Sequence, residues 1–143
     1  MIDLPAESVQ HALATAGIEI YRSRAGEIAI AERIRVHLMD SGIRVVLGAT
    51  PTVRVTVRSQ RSDFPSASRD ELFAMVRNAM APVVVARGFV EIMADERQVT
   101  DPVDANHVLD VWHELTYEKG VTHLDGVIDE VRWALGVSKC VAG

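Results

Sequence analysis

The amino-acid sequence predicts an α+β fold, in which an antiparallel or mixed β-sheet meander is packed by two or three helices and followed by a C-terminal amphipathic helix. Two stretches carry most of this prediction. Residues 52–58 (TVRVTVR) alternate valine with polar side chains, which is typical of a strand with one buried face. Residues 122–135 repeat apolar side chains at helical spacing and end at Gly136, which is typical of an amphipathic helix.

The composition fits one compact domain. The chain has 143 residues, of which 48% are apolar, and this is enough to bury a core. We expect a single domain over residues 1–143, with its core at 6–119 and a helical extension at 120–143. The first residues, MIDLPAESVQ, have no basic region followed by an apolar one, so we expect no secretory signal. The longest apolar run, residues 80–86, is too short to span a membrane, and Cys140 is the single cysteine.

The first elements follow from local patterns. Residues 6–16 have the spacing of a short amphipathic helix, and Gly17 supplies its end. Residues 18–21 (IEIY) alternate as a short strand.

The stretch at residues 26–42 (GEIAIAERIRVHLMDSG) decides between helix and strand. At about 100° per residue its apolar side chains scatter around a helix axis. At a period of two they form one row, so we predict a strand, although the helical alternative stays open. The row consists of Ile28, Ile30, Ile34, Val36 and Leu38. Asp40-Ser41-Gly42 then supplies turn residues before a second strand at 43–47.

The central part of the chain predicts a helix after a polar loop. Residues 58–68 are polar and contain a proline, and Ser68 with Glu71 forms a capping-box pattern. We expect this helix to end at Pro82. Its apolar stripe is predicted to be Leu72, Met75, Val76 and Met80.

The following segments are less uniform. Residues 83–86 fit a short strand or a helical tail, residues 89–93 are extended, and 95–97 fit a turn. Residues 103–119 fit both periods, and local rules favour a helix because Val108, Val111, Trp112 and Leu115 share a narrow helical arc. The last helix is predicted to begin with a Thr122–Asp125 cap.

No pattern in the sequence indicates catalysis. The five histidines lack the spacing of a metal site, and a G-x-S-x-G motif and a glycine-rich phosphate loop are both missing. We therefore expect no enzyme, no cofactor and no bound metal.

The net charge of −5 is unevenly distributed. Residues 101–143 carry eight carboxylates against Lys119, Arg132 and Lys139, whereas residues 1–100 are balanced. This acidic portion argues against a surface that grips duplex DNA. It suits a surface that repels DNA, one that meets a basic partner, or an ordinary solvated face.

Several segments between residues 27 and 119 follow one another in a distinctive order. An apolar strand pair at 34–47 precedes TVRVTVRSQ (52–60) and a polar loop. The helix DELFAMVRNAMAP (70–82), the strand RGFVEIMADE (87–96) and finally VLDVWHELTYE (108–118) come next. This order resembles the tail terminator proteins, also called tail completion proteins, of long-tailed, lambda-like bacteriophages.

The resemblance implies a strand rather than a helix at 107–118, and we adopt that assignment. It also implies a structural protein of the virion, placed at the tail–neck junction after assembly in the bacterial host cytoplasm. Such a protein forms a homo-oligomeric ring, usually a hexamer, on the tail tube. The ring ends polymerisation of the tail tube protein and joins it to the head–neck connector protein. DNA passes through its bore without specific binding, and no membrane is involved.

Two surfaces are predicted to serve such assembly. We expect Arg54, Arg58 and Arg61 to contact a neighbouring subunit or the tube, with solvated strand arginines as the alternative. We also expect the helix at 122–135 to pack across a neighbour through its apolar stripe. The stripe consists of Leu124, Ile128, Val131 and Leu135.

Two other functions stay open at the level of sequence. The same strand assignment suits a secretion-chaperone-like acidic homodimer. If residues 26–41 are a helix instead, the order suits a ferredoxin-like regulatory or binding module.

Overall fold

A computed structural model describes residues 5–142. Residues 1–4 and Gly143 lie outside that range. The first four residues belong to the stretch in which we expect no secretory signal. Within it, three α-helices and a six-stranded sheet confirm the predicted α+β fold class. The helices are α1 (Ala6–Thr15), α2 (Arg69–Met80) and α3 (Leu124–Leu135). The strands are β1 (Ile20–Arg24), β2 (Glu27–Ile34), β3 (His37–Val46), β4 (Thr52–Gln60), β5 (Val90–Thr100) and β6 (Val108–Gly120).

The strands lie in the order β1-β2-β3-β4-β6-β5. The chain divides into two compact units, and β4 and β6 each contribute residues to both. Unit 1 contains the residues up to Val55 together with Glu118–Val137. Unit 2 contains Thr56–Tyr117 and the residues from Ser138 onward.

The core of unit 1 lies between one face of the sheet and two helices. Cross-strand pairing aligns Ile28, Val45 and Val53 in one row, and Ile30, Ile43 and Val55 in the next. All six side chains are fully buried. The helix α1 ends in a Schellman motif, in which Ile18 N–H donates to the Leu13 carbonyl and Gly17 adopts a φ of 78°.

Within residues 26–42 the chain forms β2 and the first part of β3, so strand rather than helix is confirmed, but the predicted turn position is wrong. The chain reverses at Arg35 and Val36, where Ile34 pairs with His37. The helix that a ferredoxin-like module would need at 26–41 is therefore replaced by a β-hairpin. The predicted single row also divides, because Ile28 and Ile30 are buried whereas Ile34, Val36 and Leu38 are exposed.

Asp40-Ser41-Gly42 forms a β-bulge instead of the predicted turn. The pairing shifts from Ile30–Ile43 to Ala31–Asp40, so Ser41 and Gly42 are extra residues in β3. The Ser41 hydroxyl donates to the Ile30 carbonyl at 2.6 Å and accepts from Ile43 N–H at 3.2 Å. Gly42 has a φ of 80°, which suits a residue without a Cβ.

The core of unit 2 is built under α2. The predicted capping box is present, since the Ser68 hydroxyl accepts from Glu71 N–H and the Glu71 carboxylate accepts from Ser68 N–H. The buried side chains of α2 are Leu72, Phe73, Val76 and Met80. Phe73 was missing from the predicted stripe, and Met75 is only half-buried. The residues after the helix form a π-helical turn, Ala81–Val85, and thus the helical tail rather than the strand.

Strands β5 and β6 form a long hairpin, in which one predicted turn and one predicted helix are both strand. Residues 95–97 lie within β5 and do not form a turn. Residues 108–120 form β6, so the local preference for a helix over 103–119 is wrong and the strand adopted from the family resemblance is present. On β6, His113, Leu115 and Tyr117 alternate as buried side chains.

The last helix, α3, begins later than predicted. His123 occupies the N-cap position and no side chain caps the helix, so the Thr122–Asp125 cap is wrong. Gly136 ends the helix as expected. Within residues 5–142, none of the helices combines the length and the apolar character needed to cross a bilayer.

Candidate interaction surfaces

Arg54 lies on the open face of unit 1, opposite the buried valines of β4. Its Nε donates to Glu118 Oε2 at 3.1 Å, and the two side chains are 37% and 31% exposed. Such half-exposed pairs contribute little to stability. The alternation of β4 correctly predicted the orientation of Arg54. Its partner is distant in sequence and could not be predicted.

Arg58 lies on the open face of unit 2 and stacks on an aromatic ring. Its guanidinium carbon lies 4.0 Å from the Trp112 ring centroid, and that of Arg97 lies 5.1 Å from the same centroid. Burial raises the pKa of the neighbouring Glu114 carboxyl, while Arg97 and Arg58 oppose the rise. Trp112 is a member of this surface that no pattern in the sequence indicated.

The backbone of Arg58 also binds the C-terminal tail. Arg58 N–H donates to the Lys139 carbonyl at 2.8 Å, and the Arg58 carbonyl accepts from Val141 N–H at 2.9 Å. These bonds form a parallel bridge between Arg58 and Cys140. Burial raises the pKa of the Cys140 thiol, with Arg58 opposing, so the thiol is held in its less reactive protonated form. The tail therefore occupies one side of β4 in unit 2.

Arg61 belongs to a charged cluster around Glu96. Its guanidinium lies 3.7 Å from Glu96 Oε1, and Arg69 Nε lies 3.1 Å from Glu96 Oε2. The buried imidazole of His113 also approaches Glu96, at 3.4 Å. Arg61 thus has a partner within its own unit, which the sequence alone did not indicate.

The apolar stripe of α3 faces its own unit. Ile128 is 9% exposed and Val131 is fully buried, so neither is available to a neighbouring subunit in this structure. The predicted contact of these two residues with a neighbouring subunit is therefore corrected, because α3 packs on β3 and α1 instead. Leu124 and Leu135 are half-buried. Deleting residues 121–143 would consequently open the core of unit 1.

The end of the β2–β3 hairpin exposes an apolar surface in unit 1. Its large apolar residues are Ile34, Val36, Leu38 and Met39, and Val36 is 82% exposed. Arg33 is bound to Glu19 at 2.6 Å. Arg35 has no ion-pair partner among the described residues. We call residues 34–39 the hairpin end.

The strand β5 exposes a second apolar surface, in unit 2. Val90, Ile92 and Met93 are 64%, 40% and 52% exposed. β5 is the last strand of the sheet, so within the described part of the chain one row of its backbone groups has no neighbouring strand. Asp95 also lacks an ion-pair partner among residues 5–142. We call residues 90–97 the β5 edge.

Over the described range, no group of three or more His, Cys, Asp and Glu residues could hold a metal ion. Comparisons with protein-family models, with curated proteins and with solved structures found no match for this chain.

Proposed function

We propose that this protein is a structural subunit that assembles into a homo-oligomeric ring and caps the tail tube of a bacteriophage. One observation carries the proposal. The hairpin end and the β5 edge are two unlike surfaces, and both expose large apolar side chains. Apolar groups in such number on a small chain favour a partner over water.

Unlike surfaces favour association of the heterologous kind. A symmetric dimer buries the same patch on both partners, whereas a head-to-tail contact joins two different patches and gives a ring when it closes. A sheet edge that is covered by the next subunit cannot recruit further strands. The hairpin end of one copy and the β5 edge of the next fit this kind of contact.

The arrangement of the chain gives further support. The strand at 108–120 stands where the tail terminator resemblance implied one. The open faces are polar, and on them Arg54 and Arg58 are held by Glu118 and Trp112. The acidic residues at 101–143 would let DNA pass a bore without binding.

The first test is the solution state of the full chain. Sedimentation and negative-stain images are expected to show a ring, with six-fold symmetry as the leading expectation. A symmetric dimer at all concentrations would favour the secretion-chaperone-like alternative, and a monomer would remove both.

The second test addresses the tube. Rings added in small amounts to polymerising tail tube protein from the same phage are expected to stop elongation, and the tube lengths seen by microscopy should shorten. Tubes of unchanged length, with no ring at their ends, would contradict the capping function even if the ring itself forms.

A further inference from the structure

A positively charged depression lies on the open face of unit 1, and its lining includes no residue of either proposed assembly surface. Its volume is about 320 Å³, and it is lined by Arg22, Arg24, Ala25, Glu27, Ala29 and Arg44. Its three arginines face Glu27 in the lining and Asp40 beside Arg44, so the place keeps one net positive charge, although the chain as a whole carries a net charge of −5.

The strand register creates the depression. Arg22 on β1 pairs with Ala29 on β2, and Ala29 pairs with Arg44 on β3. Directly paired residues point to the same face of a sheet, so a single methyl group forms the floor between two long side chains. Ala29 is 5% exposed. A larger side chain at this position would fill the space.

One arginine of the three is fixed in place. Arg44 donates to both oxygens of Asp40, at 2.7 and 2.6 Å, and its Nε lies 3.2 Å from Glu27 Oε1. Burial would raise the pKa of Asp40, but the hydrogen bonds from Arg44 and from Gly42 N–H lower it overall. Asp40 therefore stays ionised and orients the guanidinium of Arg44.

Within the described part of the chain the other two arginines form no ion pair, although the charge of Arg22 helps to lower the pKa of Asp40. Among the described residues, neither Arg22 nor Arg24 has a carboxylate within ion-pair distance. The guanidinium carbon of Arg22 lies 5.7 Å from the ring centroid of Tyr21, a contact that leaves the N–H groups free to donate. Both side chains are exposed at the rim.

We propose that this depression binds a small phosphate-bearing anion. Planar guanidinium groups donate paired hydrogen bonds that match the oxygens of phosphate. The volume is at the lower end of the range for small-molecule sites, and the lining offers no aromatic face for a base. Glu27 in the lining leaves the arginines as the groups that would hold the anion.

The site does not depend on ring formation, so its test is independent of the proposed function. Pyrophosphate and inorganic phosphate serve as probes for the full-length protein, with binding followed by ³¹P NMR and calorimetry. Saturable binding of pyrophosphate is expected. The double variant Arg22→Gln/Arg24→Gln is expected to weaken it at least about tenfold, because charge-assisted hydrogen bonds are lost.

Two further variants separate the site from general charge effects. Arg132→Gln removes one positive charge on α3, where its guanidinium binds the Ala16 carbonyl; it is compared with the single variant Arg24→Gln and should bind pyrophosphate like the wild type, whereas Arg24→Gln should bind it more weakly. Ala29→Leu keeps the charge, fills the floor and should abolish binding, with circular dichroism as the check on folding. If Ala29→Leu does not fold, the exposed arginine variants still decide the outcome.

Three results would overturn the inference. The first is that pyrophosphate shows no saturable binding at millimolar concentration. The second is that the Arg22→Gln/Arg24→Gln variant binds pyrophosphate as tightly as the wild type. The third is that a single-stranded oligonucleotide binds more tightly per phosphate than pyrophosphate does, through the same arginines. The last result would identify a nucleic acid backbone as the ligand instead of a small anion.

Discussion

His113 shows how one residue can couple the fold of unit 2 to pH. Its imidazole is fully buried, meets the edge of the Phe73 ring at a centroid distance of 5.0 Å, and lies 3.4 Å from Glu96. Burial lowers the pKa of His113; Glu96 opposes this, and Arg61 and Arg69 add to it. The folded protein therefore holds a neutral imidazole under conditions where an exposed histidine takes a proton.

The sign of the resulting pH dependence follows from this lowered pKa. Below about pH 6.5 the unfolded chain binds a proton at His113 before the folded chain does. The contribution of His113 to stability is present above that pH and is lost as the pH falls toward the folded pKa. We expect the free energy of unfolding to decrease by up to about 1.4 kcal/mol per pH unit in that window. Urea unfolding at several pH values measures it.

Two substitutions identify His113 as the cause. His113→Leu, which cannot take a proton, should flatten the slope just below pH 6.5. His11→Gln, at an exposed position on α1, should leave the slope as in the wild type. An unchanged slope in His113→Leu would contradict the assignment.

At the scale of single residues, the alternating pattern of β4 predicted the face on which each side chain lies, but not the residues that it contacts. The period of two in TVRVTVR correctly placed Arg54 and Arg58 on the face opposite the buried valines. Their partners, Glu118 and Trp112, come from β6. Strand pairing across such a long separation is decided by the whole sheet, so no local pattern could name them.

At the scale of elements, the bulge in β3 explains why the hairpin was assigned wrongly. Asp40-Ser41-Gly42 has the residues of a turn, yet the chain uses them to insert two residues into a continuous strand. The true turn at Arg35 and Val36 contains no glycine or asparagine. Arg35 adopts a φ of 59°, which is uncommon for its residue type. The turn-forming residues therefore marked the position of the bulge in β3, but not the position at which the chain reverses.

The strand β6 was ambiguous for a related reason. Its apolar residues fit a helical arc and an alternating row equally well, because Val111 and Leu115 belong to both patterns. In the structure β6 lies between β4 and β5. Pairing on both sides satisfies its backbone groups as a strand, and this tertiary effect outweighs local preference.

The bulge also gives a prediction about stability. Gly42→Ala places a Cβ at a φ of 80°, and the left-handed conformation costs about 1–2 kcal/mol for an alanine. We expect the urea midpoint to fall by a corresponding amount with an unchanged slope.

Gly48→Ala is the matched control for this prediction. Its φ is not positive, and a Cβ there would meet nothing within 4 Å. We expect equal or slightly higher stability than the wild type. Equal urea midpoints for the two variants would show that the backbone conformation at position 42 does not require glycine.

At the scale of the whole molecule, the proposed assembly would use surfaces that the described part of the chain leaves uncovered. The hairpin end and the β5 edge together hold seven large apolar side chains that are exposed in the described structure. Each also carries a charge without an ion-pair partner among the described residues, Arg35 on the hairpin end and Asp95 on the β5 edge. Opposite charges next to apolar groups suit contact between two copies.

This pairing predicts a charge-exchange experiment. Arg35→Asp alone brings two carboxylates together in the contact between neighbouring copies, and Asp95→Arg alone brings two guanidinium groups together. Either change should weaken self-association about tenfold or more, because juxtaposed like charges are costly in an interface. Sedimentation equilibrium measures the association constant.

The double variant Arg35→Asp/Asp95→Arg restores opposite charges and should recover most of the association. Asp129→Arg, at an exposed position on α3, makes the same charge change as Asp95→Arg at a residue that belongs to neither surface, and should associate like the wild type. Recovery in the double variant would require Arg35 of one copy to approach Asp95 of the next. If the single variants associate normally, or if the double variant is as weak as either one, the hairpin end and the β5 edge do not meet, and any ring would have to use other surfaces.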